Sequence, residues 1–149
     1  MSRQNTVKLT LCCVLLILAL VFYVFSLRPM RNIPLQIAGQ TLRVQVAETQ
    51  AQLTQGLSGT DQLLEGHGML FAFTTSRTWQ FWMKDMRYPL DIIWLDEHKQ
   101  VLYIAQNLAP NTYPKLFGPD KPARYVLEVP AGYAQRYQIT TSSFASFAF

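Results

Sequence analysis

From Leu9 to Leu27 the chain runs nineteen residues without a charge, and any fold must first accommodate that run. As an α-helix it would extend about 28 Å, close to the hydrocarbon thickness of a bilayer. A core helix of that length would keep a polar stripe turned away from the core, and none is present. A cleaved signal peptide would have a shorter apolar region ending in small residues. Here the run closes on Val24, Phe25, Ser26 and Leu27 before Arg28. The sequence therefore predicts a short cytoplasmic amino terminus over 1–8 and an uncleaved transmembrane signal anchor over 9–27. Cys12 and Cys13 lie inside the run, where free cysteine packs as a small apolar residue. Arg3 and Lys8 flank one side and Arg28 and Arg31 the other, a nearly balanced positive-inside count. The expectation is a single pass through the bacterial inner membrane, with the globular part outside the cytoplasm.

Beyond the anchor the chain carries 11 basic and 9 acidic residues and no cysteine. No basic stripe or cluster stands out, so nucleic acid is not an expected partner. Without cysteine there is no disulfide framework, no thiolate metal site and no cysteine nucleophile in that part.

From residue 32 the pattern changes to short alternating segments. Ile33 to Ile37, a turn at Ala38-Gly39, and Leu42, Val44 and Val46 on one face predict a β-hairpin. Glu48 to Gln55 is the one helical stretch, with Thr49 as cap and Gly56 as stop. Further strands are expected at Met69–Phe73, Trp79–Met83, Leu90–Leu95, Val101–Ala105 and Tyr125–Val129. Leu90–Leu95 is apolar almost throughout and reads as an internal strand. Short strands with one brief helix and no βαβ rhythm predict a mainly β fold, a compact sandwich or small barrel. The domain plan is then a linker and first hairpin over 28–43, a β domain over 44–139 and a carboxy-terminal tail over 140–149.

Several motifs occur in a recognisable order. These are Gly56-Leu57, Gly68 to Phe71, Phe81 to Lys84, Pro89 to Asp91, and Val126 to Glu128 followed by Ala131-Gly132. In order and spacing they resemble the domain-of-unknown-function family 192, also called uncharacterised protein family 0127, over roughly residues 44–139. The resemblance implies a compact, mainly β domain, often behind a signal peptide or a single membrane anchor. It brings no biochemical activity. Ser58 and Thr60 stand where members commonly carry methionine and arginine, and Asp85-Met86 replaces an asparagine-threonine pair.

Two segments invite a functional reading. Residues 106–124 hold Pro110, Pro114, Pro119 and Pro122, half the prolines of the chain, in a connection long enough for a binding loop or a proline-stiffened surface loop. The segment Trp79–Asp91 concentrates aromatic and charged residues. Strand alternation would set Phe81 and Met83 on the core face and Trp82 and Lys84 on the other. Lysine is almost never fully buried alone, so that second face must reach water or an acid: Asp85, Asp91 or Glu128. The expected site is a cleft of Trp82, Lys84, Asp85 and Asp91 with the proline-rich loop. It suits a small polar ligand, a glycan or an envelope protein.

An envelope hydrolase or transferase with Asp85 and Asp91 as acid and base is the alternative. Asp91, close after Pro89, equally suits a turn carboxylate that accepts backbone N–H groups. His67 and His98 are too isolated for a metal centre, and neither a nucleophilic serine motif nor a phosphate loop is present. The sequence reading is a membrane-anchored binding or accessory module of the cell envelope, without cofactor, metal or catalytic residue.

Overall fold

The computed structural model describes residues 12–18 and 29–149. Residues 12–18 are helical, and the rest of the run expected to form the anchor lies outside the described residues. Among the described residues no helix is long and apolar enough to cross a membrane.

The hairpin forms where the alternation predicts it. Strands β1 (Arg31–Ile37) and β2 (Gln40–Ala47) pair antiparallel, with Leu35 opposite Leu42 and Ile33 opposite Val44. Ala38 and Gly39 both take positive φ in the two-residue turn, the backbone that matches strand twist. Helix α1 (Gln50–Gln55) starts at Thr49, whose hydroxyl accepts from the Gln52 N–H while the Gln52 side chain accepts from the Thr49 N–H. It stops at Gly56, φ 50°, where a Cβ would come within 3.0 Å of the Phe71 ring. The crossing carried by α1 lets β3 (His67–Arg77) lie parallel to β2, with Val44 beside Gly68.

Strand β4 (Leu90–Leu95) pairs with both β5 (Val101–Leu108) and β6 (Ala123–Pro130), and β6 pairs with β3. A four-residue helix α2 (Tyr133–Arg136) follows β6, and β7 (Ala145–Ser146) joins the outer edge of β1. The order β5-β4-β6-β3-β2-β1-β7 makes one curled seven-stranded sheet, a half-barrel. The fold is mainly β as expected, and of the two expected forms, sandwich or small barrel, the single curled sheet stands nearer the barrel without closing it. Its two ends approach each other where Gln100 bridges Phe144 and the Val101 N–H donates to the Ser143 carbonyl. Residues 140–149, read as a tail, thus contribute a strand, and Phe147 is buried.

Strand alternation divides the core into two faces. Ile93, Leu95, Leu127 and Val129 pack with Leu35, Leu42, Val44 and Leu70 on one; Ile92, Trp94 and Val126 pack with Met69, Phe71 and Met83 on the other. Every residue of β4 is buried, which is why its sequence is almost continuously apolar.

The expected strand Trp79–Met83 does not form. Only Phe81 pairs, exchanging two hydrogen bonds with Phe117 of the proline-rich connection. The segment lies across the second face as an aromatic layer instead. Trp79 stacks on Phe73 at 3.9 Å, and Phe81 sets its edge on Phe71 at 4.8 Å and Trp94 at 5.8 Å. Gly118 permits this approach, since a Cβ there would stand 2.5 Å from the Trp79 carbonyl oxygen. Phe81 is half-buried in this layer. Phe81→Ala is therefore expected to cost about 2–4 kcal/mol, read as a shift in denaturation midpoint at unchanged slope.

Candidate functional site

The aromatic layer and α1 border a partly open cavity of about 220 Å³ on the second face of the sheet. Leu53 and Thr54 of α1, Leu57, Phe71 and Phe73 of β3, and Trp79, Phe81, Trp82 and Met86 line it. Glu128 lines it too, projecting from β6 between Met69 and Ile92 of the neighbouring strands. A second cleft of about 280 Å³ is lined by Thr54, Gln55, Ser58, Gly59, Trp82, Lys84 and Asp85. Trp82, Thr54, Gln55 and Ser58 line both spaces, so Trp82 stands between them. Its ring is 49% exposed and meets Tyr113 of the proline-rich connection edge-on at 5.7 Å.

The loop carrying Lys84 and Asp85 is tied to the segment after α1. Ser58 Oγ donates to the Lys84 carbonyl, and the Gly59 N–H donates to the Asp85 carbonyl. Asp85 has φ 55°, a conformation that aspartate tolerates better than most residues. Thr60 Oγ1 bonds the Tyr88 hydroxyl, and Arg87 pairs with Asp61. The positions at which the sequence departs from the family pattern, Ser58 and Thr60, therefore brace this loop. Lys84 and Asp85 are both exposed.

Asp91 is elsewhere. It lines neither space and is fully buried, on the face of Ile93 and Leu95. Its Oδ1 accepts from the N–H of Asn107 at 2.7 Å and of Gly132 at 3.1 Å, and its Oδ2 from Ala134 N–H at 2.8 Å. The carboxylate holds the end of β5 and the start of α2 together. Asp91 thus has the turn-carboxylate role, and the expected grouping of Asp91 with Trp82, Lys84 and Asp85 is corrected. An acid–base pair of Asp85 and Asp91 loses its second member for the same reason. Among the described residues no group of three or more histidine, cysteine or acidic side chains is placed to hold a metal.

The residue that sequence reasoning undervalued is Glu128. The sequence offers it as one of three acidic neighbours for Lys84. Its side chain is 5% exposed, and Oε2 has no hydrogen-bond partner among the described residues. Burial pushes its carboxyl up to about 8, so the group is neutral at pH 7. The indole Nε1 of Trp79, also buried, has no partner either, although the Trp79 carbonyl accepts from Trp94 Nε1 at 2.9 Å. One signal for Glu128 was in the sequence: an acid set among Val126, Leu127 and Val129.

The comparisons with known proteins agree with this architecture. A "putative transcription regulator" from Sinorhizobium meliloti 1021 superposes with a TM-score of 0.75 at 27% identity, covering 80% of this chain and 96% of that one. A protein of unknown function from Novosphingobium aromaticivorans DSM 12444 gives 0.74 at 27% identity, covering 78% and 86%. No curated protein matches significantly. The sequence profile of DUF192, described as an uncharacterised ACR, matches residues 33–145 and so includes all the strands from β2 to β6, helices α1 and α2 and the cavity-lining residues. The chain belongs to the domain-of-unknown-function family 192.

Proposed function

We propose that this protein is a ligand-binding module of the cell envelope, held in the inner membrane by residues 9–27 with its β domain outside the cytoplasm. The observation that carries the binding reading is the Glu128 carboxyl, buried and unpartnered on the wall of an aromatic cavity. A polar group in that position costs about 1–3 kcal/mol when left unpaired, and a ligand that bonds it recovers part of that cost. Apolar walls with a few oriented polar groups are the usual make-up of small-molecule sites. The anchor reading rests on the uncharged run of nineteen residues.

The binding surface includes Trp82 and Lys84, which are exposed and hold up no core. Trp82→Ala and Lys84→Ala should each leave stability within about 1 kcal/mol of the parent. Both should fail to complement a deletion strain. Full-length protein should remain in membranes after carbonate extraction, with its β domain open to protease from outside the cytoplasm. Full complementation by both variants would overturn the binding surface; a carbonate-soluble chain would overturn the anchor.

A further inference from the structure

We infer that the cavity receives an uncharged, largely apolar molecule bearing a carbonyl-type oxygen, held by the Glu128 carboxyl and the Trp79 indole N–H. This deepens the binding reading and rests on it. Both groups belong to residues lining one cavity, and neither has a hydrogen-bond partner among the described residues. Leu53, Phe71, Phe81 and Met86 give the cavity apolar surface, while Gln50, Thr54, Gln55, Ser58 and Gln80 add amide and hydroxyl groups to its lining.

The charge of the ligand follows from what faces Glu128. On the flanking strands Met69 and Ile92 lie beside it, and α1 contributes Leu53 to the same cavity. Of the titratable groups, Tyr88 feels its charge; the Tyr88 hydroxyl is raised by burial, lowered by its hydrogen bond with Thr60 and raised by Glu128. Lys84 and Asp85 line the neighbouring cleft. No cation among these offsets a carboxylate, so the neutral acid, a donor, is the form that persists at neutral pH. An indole N–H can only donate. Two buried donors without a partner call for an acceptor. A ligand cation would answer Glu128 and leave the indole unpaired, while a ligand anion would lose its hydration with no counter-charge.

The test uses the full chain, labelled with 15N at tryptophan, and three probes on one six-membered ring: cyclohexanone, cyclohexylammonium and cyclohexanecarboxylate. Cyclohexanone should move the Trp79 indole resonance, assigned by its loss in Trp79→Phe. It should bind about tenfold tighter than either charged probe, the worth of one good hydrogen bond. Its affinity should stay level to about pH 7 and fall about tenfold by about pH 9, as Glu128 ionises and can no longer donate. In Glu128→Gln, whose amide still donates, that fall should vanish. Tighter binding of cyclohexylammonium overturns this inference and leaves the binding module standing. Ketone affinity that is level through pH 9 in the parent removes Glu128 from the contact and also overturns it. If none of the three probes moves a tryptophan resonance, the binding reading fails with it.

Discussion

Asp91→Ala is expected to remove on the order of 3–6 kcal/mol of stability, because it orphans three backbone donors at once. The N–H groups of Asn107, Gly132 and Ala134 converge on that one carboxylate. Asp91 is fully buried, so water reaches them only if the packing opens. Bonds to an ionised acceptor are the stronger kind, and Ala134 sits in the first turn of α2, where a negative charge is favoured. The loss is comparable with the whole stability of many domains, which lies at about 5–15 kcal/mol. Asp91→Asn keeps one oxygen and places an amide donor against the other contacts, so an intermediate loss is expected. Denaturant titration of parent and both variants measures the series. An Asp91→Ala protein within about 1 kcal/mol of the parent would refute the clasp. The result also separates this role from acid–base chemistry, for which Asp91→Asn would abolish turnover at unchanged stability.

What could be read from the sequence was decided locally. The β1–β2 hairpin follows from alternation plus a two-residue turn, and α1 from Thr49 and Gly56 at its ends. The all-buried β4 follows from an unbroken apolar run. Where distant segments decide, the pattern misled. Trp79, Phe81 and Met83 alternate like a strand, yet their partners are Phe73, Phe71, Trp94 and Phe117, and no local rule announces an aromatic layer laid across a sheet. The candidate site divides in the same way. Trp82, Lys84 and Asp85 are sequence neighbours and share a cleft, whereas Asp91, only six residues beyond Asp85, enters β4 on the opposite face of the sheet. Glu128 reaches the cavity from a strand more than forty residues away from that loop. Its neighbours Val126, Leu127 and Val129 mark it as an acid in apolar company, but only the assembled sheet shows that nothing pairs with it.

That unpaired acid sets the pH dependence of the fold. Glu128 is held at about 8 in the folded chain, above the 4.5 of an ordinary glutamate, because burial penalises its charged form. Between those values the native state binds a proton that the unfolded chain releases, so stability falls as pH rises. The contribution is fully present below about pH 4.5 and is lost as pH climbs through about 8, a change on the order of 3–5 kcal/mol. Glu128→Gln substitutes a neutral group of the same size. The two proteins should lie within about 1 kcal/mol of each other near pH 5. They should then diverge, with the glutamine variant the more stable by on the order of 3 kcal/mol near pH 9. The difference between the two curves is the quantity to measure, because titrating groups that do not feel the Glu128 charge contribute equally to both, and Tyr88, which does, is raised further from this range. Staying below about pH 9 also keeps tyrosine ionisation out of the comparison. Denaturant midpoints collected at intervals across this range give the curves. If they run parallel, Glu128 is hydrated or paired in solution, and the cavity wall is not the apolar surface on which its neutral carboxyl depends.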